Sequence, residues 1–128
     1  MTIEQMEYAA SLIENGVPDA YSTVARSLGT DVADAFLAGH LIFDEGKPSQ
    51  SAPAPGMESF PDVIRTMRRF GVGSGYRKAL GYRIPRESAM ALVVSFLRHE
   101  AREKEMDVPS YARRALMRAG LTVQFRMS

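Results

Sequence analysis

Cysteine is absent from the chain, and histidine occurs twice, as His40 and His99. The first absence excludes a disulfide framework, a thiolate metal site and a cysteine nucleophile. It fits a reducing compartment, so the cytoplasm is the expected location. The scarcity of histidine leaves no metal-ligand spacing, and no metal and no cofactor is expected. No apolar run approaches the ~18 residues of a membrane span. The N-terminal stretch carries acids where a signal peptide has a basic region, so neither a membrane segment nor a leader is expected. The scattered acids form no pair suited to general acid–base work, and serine or tyrosine alone is no nucleophile. Tyr111 precedes two arginines, but its spacing with Ala115 and Leu116 assigns it to a packed helix face. The chain is expected not to be an enzyme.

Acids are missing from one further place. Between Arg65 and Glu87 the chain carries Arg65, Arg68, Arg69, Arg77, Lys78, Arg83 and Arg86, interleaved with Phe70, Tyr76 and Tyr82, and no Asp or Glu. Cations mixed with aromatics suit a phosphate backbone, because each cation releases condensed counterions and each ring offers a stacking surface. The plain alternative is a solvated basic surface.

What is present is an ordinary folded composition: 128 residues, 45% apolar and 24% charged, enough for one domain or two small ones that support each other. The net charge of +1 hides a division. Residues 1–58 hold two cations against nine acids, a balance of −7, and the remainder holds fourteen cations against six acids, a balance of +8. One half therefore attracts polyanions, the other repels them, and the two attract each other.

Apolar spacing of three and four predicts helices over 2–15, 19–28 and 31–38, with Gly16, Gly29 and Gly39 as their stops. Residues 24–29 resemble the helix and turn that open a helix-turn-helix, but the helix that follows carries Asp31 and Asp34 and no cation, which suits a protein contact better than DNA. A short strand or an extended exit is expected at 40–43. Residues 46–58, rich in Pro, Ser, Ala and Gly, read as a linker that coincides with the change of charge sign. The domain organisation is thus an acidic three-helix unit over 1–45, a linker over 46–58 and a basic α+β domain over 59–128.

In that second domain a helix is expected over 59–70, burying Val63, Ile64, Met67 and Phe70. Gly71, Gly73 and Gly75 then read as a flexible turn, without the Lys-Ser or Lys-Thr pair of a nucleotide-binding P-loop. Leu80, Tyr82 and Ile84 alternate with Ala79, Gly81 and Arg83, which predicts a strand over 78–84. Helices follow over 85–106 and 107–119, the first with its last turns solvated. Leu121, Val123, Phe125 and Met127 alternate with polar residues and predict a terminal strand as the partner of 78–84. The expected fold class is α+β, predominantly helical, with a short two-stranded ribbon or sheet.

The order Arg83, Ile84, Pro85, Arg86, Glu87, then a long helix, a break, and Asp107 to Leu116 resembles the ribbon-helix-helix DNA-binding proteins. The resemblance, which covers residues 78–119, implies a homodimer whose paired strands enter the major groove, with Ala79, Gly81 and Arg83 facing the bases and the amides near Ser110 holding a phosphate. The leading expectation is a regulatory or accessory nucleic-acid-binding protein, DNA favoured over RNA. Its contacts would be Arg65, Arg68, Arg69, Arg77, Lys78, Arg83 and Arg86, with Tyr76 and Tyr82 stacking and Arg113 and Arg114 extending the footprint. The rival is a protein-interaction module, an adaptor or inhibitor, whose acidic N-terminal unit docks on a protein partner.

Overall fold

The helix Arg86–Glu103 is buried without interruption from Ser88 to Arg98, on every side, and five other helices surround it. A helix can be apolar all round only if it has neighbours all round. Here Met90, Leu92, Val93, Val94, Phe96 and Leu97 supply that surface. The structure, a computed structural model, describes residues 3–45 and 59–121. In chain order the helices are α1 (Ile3–Glu14), α2 (Ala20–Leu28), α3 (Thr30–Glu45), α4 (Phe60–Phe70), α5 (Val72–Gly81), α6 (Arg86–Glu103) and α7 (Val108–Arg118). Helix α6 packs against α1, α3, α4, α5 and α7, and one apolar cluster runs from Met6 and Phe36 through Ile64 to Leu116.

No strand occurs among the described residues, so the expected α+β class is corrected to all-helical there. The segment expected as the ribbon, 78–84, is the end of α5 and the turn after it. Its alternation of Leu80, Tyr82 and Ile84 does not define a face: Leu80 and Tyr82 are exposed and Ile84 is buried. The buried set is Val72, Tyr76 and Ala79, a helical spacing that begins inside the glycine-rich stretch. The homodimer drawn from the resemblance depended on that ribbon. Its proposed partner strand lies outside the described residues beyond Leu121, as does the linker 46–58.

Glycine explains two of these corrections. In α5, a Cβ on Gly75 would run into the Met67 side chain of α4 and lie 3.1 Å from the Val63 carbonyl oxygen. The glycines that resemble a loop are therefore the surface on which α4 and α5 touch, in an antiparallel hairpin turned at Gly71. In α3, a Cβ on Gly39 would lie 2.7 Å from Ser95 Cβ, so this glycine lets α3 cross α6 closely. The helix continues through it to Glu45, replacing the expected stop at Gly39 and the expected strand or extended exit at 40–43.

Helix α5 closes with paired bonds from the Arg83 amide to the Leu80 carbonyl and from the Ile84 amide to the Ala79 carbonyl. That Schellman geometry needs a left-handed residue, and Arg83 supplies it with φ 64°. Ile84 then folds back into the core. At the far end of the chain, α7 is capped by Asp107, whose carboxylate accepts from the Ser110 amide at 3.2 Å and from its hydroxyl at 2.8 Å.

Candidate nucleic-acid interface

Part of the charge asymmetry is consumed inside the fold. The Arg98 guanidinium donates to Glu7 at 3.0 Å and to Glu14 at 3.0 and 3.3 Å, and Arg102 donates to the same Glu14. Arg113 donates to Glu4. Three acids of α1 are thereby matched to three arginines of α6 and α7. Arg98 is only 6% exposed, where the sequence places it in a solvated turn. The reason is that its carboxylate partners lie more than eighty residues away. Burial pushes the Glu7 carboxyl up from its ordinary value, with Arg98 opposing.

The basic stretch divides in the same way. Lys78 stands 3.0 Å from Asp62, and the Tyr82 hydroxyl donates to the same carboxylate oxygen at 2.5 Å. The Tyr82 bond, with that from Lys78 next, holds the Asp62 carboxyl below its usual range, and it pushes the Tyr82 phenol up. Arg65 adds to the same field. Tyr76 is buried and its hydroxyl bonds the Arg86 guanidinium, which raises the pKa of Arg86. Tyr76 therefore presents no ring for stacking, and Tyr82 is committed at its polar end. Arg83 occupies the left-handed turn after α5, and Arg68 lies on the exposed flank of α4. The Ser110 amide, expected to meet a phosphate, already donates to Asp107.

What the helices bring together is a different subset. Between the α4–α5 corner, α6 and α7 lies a cavity of about 430 Å³. Met67, Val72, Phe96 and Leu97 form its apolar floor, and Phe70, Arg77 and Arg118 stand on its exposed rim. Gly73 sets the geometry: a Cβ there would lie 3.2 Å from the Ala119 carbonyl oxygen, so α5 approaches the end of α7 and places Arg77 and Arg118 at one mouth. Arg77 reaches back one turn to the Ser74 hydroxyl at 3.5 Å. Neither arginine has a carboxylate partner among the described residues.

Phe70 is 69% exposed, although its spacing with Val63 and Met67 assigns it to the buried face. Periodicity fails because α4 ends there and the chain turns at Gly71, so Val72 takes the next place in the core. The Arg69 guanidinium lies 5.6 Å from the Phe70 ring centroid. Arg114 is exposed one turn before Arg118 on α7. The rim thus holds Arg77 from the sequence reading, Arg118, which was not expected as a contact, and Phe70, which was expected to be buried, with Arg69 beside the Phe70 ring and Arg114 one turn from Arg118. Arg118 had a signal: it is four residues from Arg114, hence on the same helical stripe.

One acid, Glu100, lines the cavity on its α6 side, and its carboxylate accepts from the Tyr111 hydroxyl and lies 3.9 Å from Lys104. The cavity's polar groups are otherwise suited to an anion at the mouth and its floor to a flat apolar body. A second concavity, about 500 Å³, opens between α1 and α2 beside Tyr8, Leu12 and Val24. Its lining holds Glu4 and no Lys or Arg, which makes it unsuited to a polyanion.

No described helix is long and apolar enough to cross a membrane. No family model matches the chain, and neither a curated protein nor a solved structure matches it.

Proposed function

We propose that the protein binds nucleic acid as a non-enzymatic regulatory or accessory factor, using the arginine rim of the α5–α6–α7 cavity. The observation that carries this reading is the placement of Arg77 and Arg118 at one mouth, without carboxylate partners among the described residues, next to the exposed Phe70 ring under Arg69. Guanidinium groups present paired donors that match phosphate oxygens, and they stack on aromatic faces and bases. Of the α1 acids that could oppose a polyanion, Glu7 and Glu14 are turned inward onto Arg98 and Arg102, and Glu4 is paired with Arg113 at the surface.

The same pairing bears on the rival reading of a protein-interaction module. Glu4, Glu7 and Glu14 are engaged within the chain, so the acidic segment has fewer charges to offer an outside basic partner. The polyanion reading keeps its cations exposed.

Fluorescence anisotropy of the purified protein with labelled DNA and RNA, between 50 and 200 mM salt, tests the proposal. Phosphate contacts predict binding that weakens steeply with salt, with log K linear in log salt concentration. Absence of binding at 50 mM salt to every polynucleotide tried would overturn it.

A further inference from the structure

We infer that the cavity takes one unpaired nucleobase, so that the protein prefers single-stranded nucleic acid to duplex. The inference rests on the nucleic-acid reading above and specifies its ligand. A volume of about 430 Å³ lies within the size range of small-molecule pockets, whereas a base that remains paired and stacked in a duplex has no face free to enter a recess. The apolar floor is close-packed, with Met67, Phe96 and Leu97 1–3% exposed and Val72 8%, so a flat heteroaromatic ring would rest on it as on a shallow seat beside the exposed Phe70. Phe70 is a large apolar side chain left 69% exposed at the rim, where a second base of an unpaired strand would stack.

The charges are placed for the backbone that joins two such bases. Arg77 and Arg118 stand on the rim of the cavity instead of its floor, where phosphates would lie once the base points inward. Arg69 stays on the Phe70 ring, and Arg114 continues the positive track along α7. Glu100 is the opposing charge. Its carboxylate accepts from the Tyr111 hydroxyl and lies 3.9 Å from Lys104, so it is engaged within the chain where α6 meets α7. Duplex readout calls for an element that enters a groove. The strand expected for that task, 78–84, is a helix end and turn in which Arg83 caps α5 and Lys78 pairs with Asp62.

The test is anisotropy of labelled 12-nucleotide oligodeoxythymidine against a labelled 12-base-pair duplex of mixed sequence at equal salt, with wild type, Phe70→Ala and Phe70→Tyr. Phe70 is exposed, so its replacement leaves the core intact, and circular dichroism checks this. The expected result is tighter binding to the single strand. Phe70→Ala should lose about fivefold or more in single-strand affinity, the weak end of a lost base–aromatic stack, and Phe70→Tyr should restore it. Duplex affinity should move little between the variants. A duplex bound as tightly as the single strand, or a single-strand affinity indifferent to Phe70→Ala, would overturn the inference while leaving polynucleotide binding in place. Binding to neither would overturn both readings together.

Discussion

Arg98 of α6 directs two guanidinium nitrogens at one carboxylate oxygen of Glu14 in α1, at 3.0 and 3.3 Å, and a third nitrogen at Glu7. Removing the arginine strands two partly buried acids beside the core, with only Arg102 left on Glu14. Breaking a buried ion pair from one side costs about 3–5 kcal/mol. Arg98→Ala should therefore lower the urea midpoint by an amount of that order, and Arg98→Lys, which cannot make the forked contact, should recover only part of it.

Glu7 makes the stability of this junction depend on pH in an unusual direction. Its folded pKa is raised by burial, so the native state holds the proton more tightly than the unfolded chain does. Its favourable contribution is complete below the unfolded carboxylate value and is lost as pH rises through the folded one. Glu7→Gln removes that dependence and keeps an acceptor for Arg98. The difference in unfolding free energy between Glu7→Gln and wild type should thus shift in favour of the variant from pH 4 to pH 7. Denaturant melts across that range measure it, and a shift the other way would show that the Arg98 attraction outweighs burial.

Two glycine-to-alanine changes should have opposite signs. Alanine gains about 1 kcal/mol over glycine inside a helix. At Gly81, the last residue of α5, nothing lies within 4 Å of the new Cβ, so Gly81→Ala should stabilise by a fraction of that, about 0.5 kcal/mol. At Gly39 the Cβ would press on Ser95 Cβ at 2.7 Å and its hydroxyl at 2.8 Å, and overpacking of this kind costs about 1–3 kcal/mol. Gly39→Ala should lower the thermal midpoint despite its better helix propensity.

Arg83 holds a left-handed conformation that costs an L side chain about 1–2 kcal/mol. Arg83→Gly should raise thermal stability by about 1 kcal/mol. Because Arg83 lies beyond the C-terminal end of α5 and Arg77 reaches back toward its start, the loss of this cation should leave polynucleotide affinity close to wild type.

The helices were legible in the sequence wherever an apolar face repeated without glycine. Helices α1, α2, α4, α6 and α7 fall near their predicted spans, and Asp107 caps α7 as its position suggests. Glycine misled in α3 and α5, because a residue that stops helices also lets two helices touch, and only the partner surface decides between these uses. The period-two pattern at 78–84 misled for a related reason: in a short segment at a helix end, exposure of Leu80 and Tyr82 breaks the alternation that the letters suggest. Within the candidate site, the charge of Arg69, Arg77 and Arg114 was legible. The pairing of Lys78 with Asp62, the burial of Tyr76 and the exposure of Phe70 depend on how α4 and α5 fold together, and no local pattern encodes that.

On the proposed reading, Arg77 and Arg118 hold phosphates at one mouth. Its most direct test is the salt dependence of single-strand binding by Arg77→Ala/Arg118→Ala beside wild type, with folding checked by thermal melts. Both side chains are exposed and lack carboxylate partners among the described residues, so the melts should coincide. Binding should be weaker at every salt concentration, and the slope of log K against log salt should be shallower by about 1.4, the loss of two single-strand phosphate contacts. An unchanged affinity and slope in a folded double variant would contradict this reading.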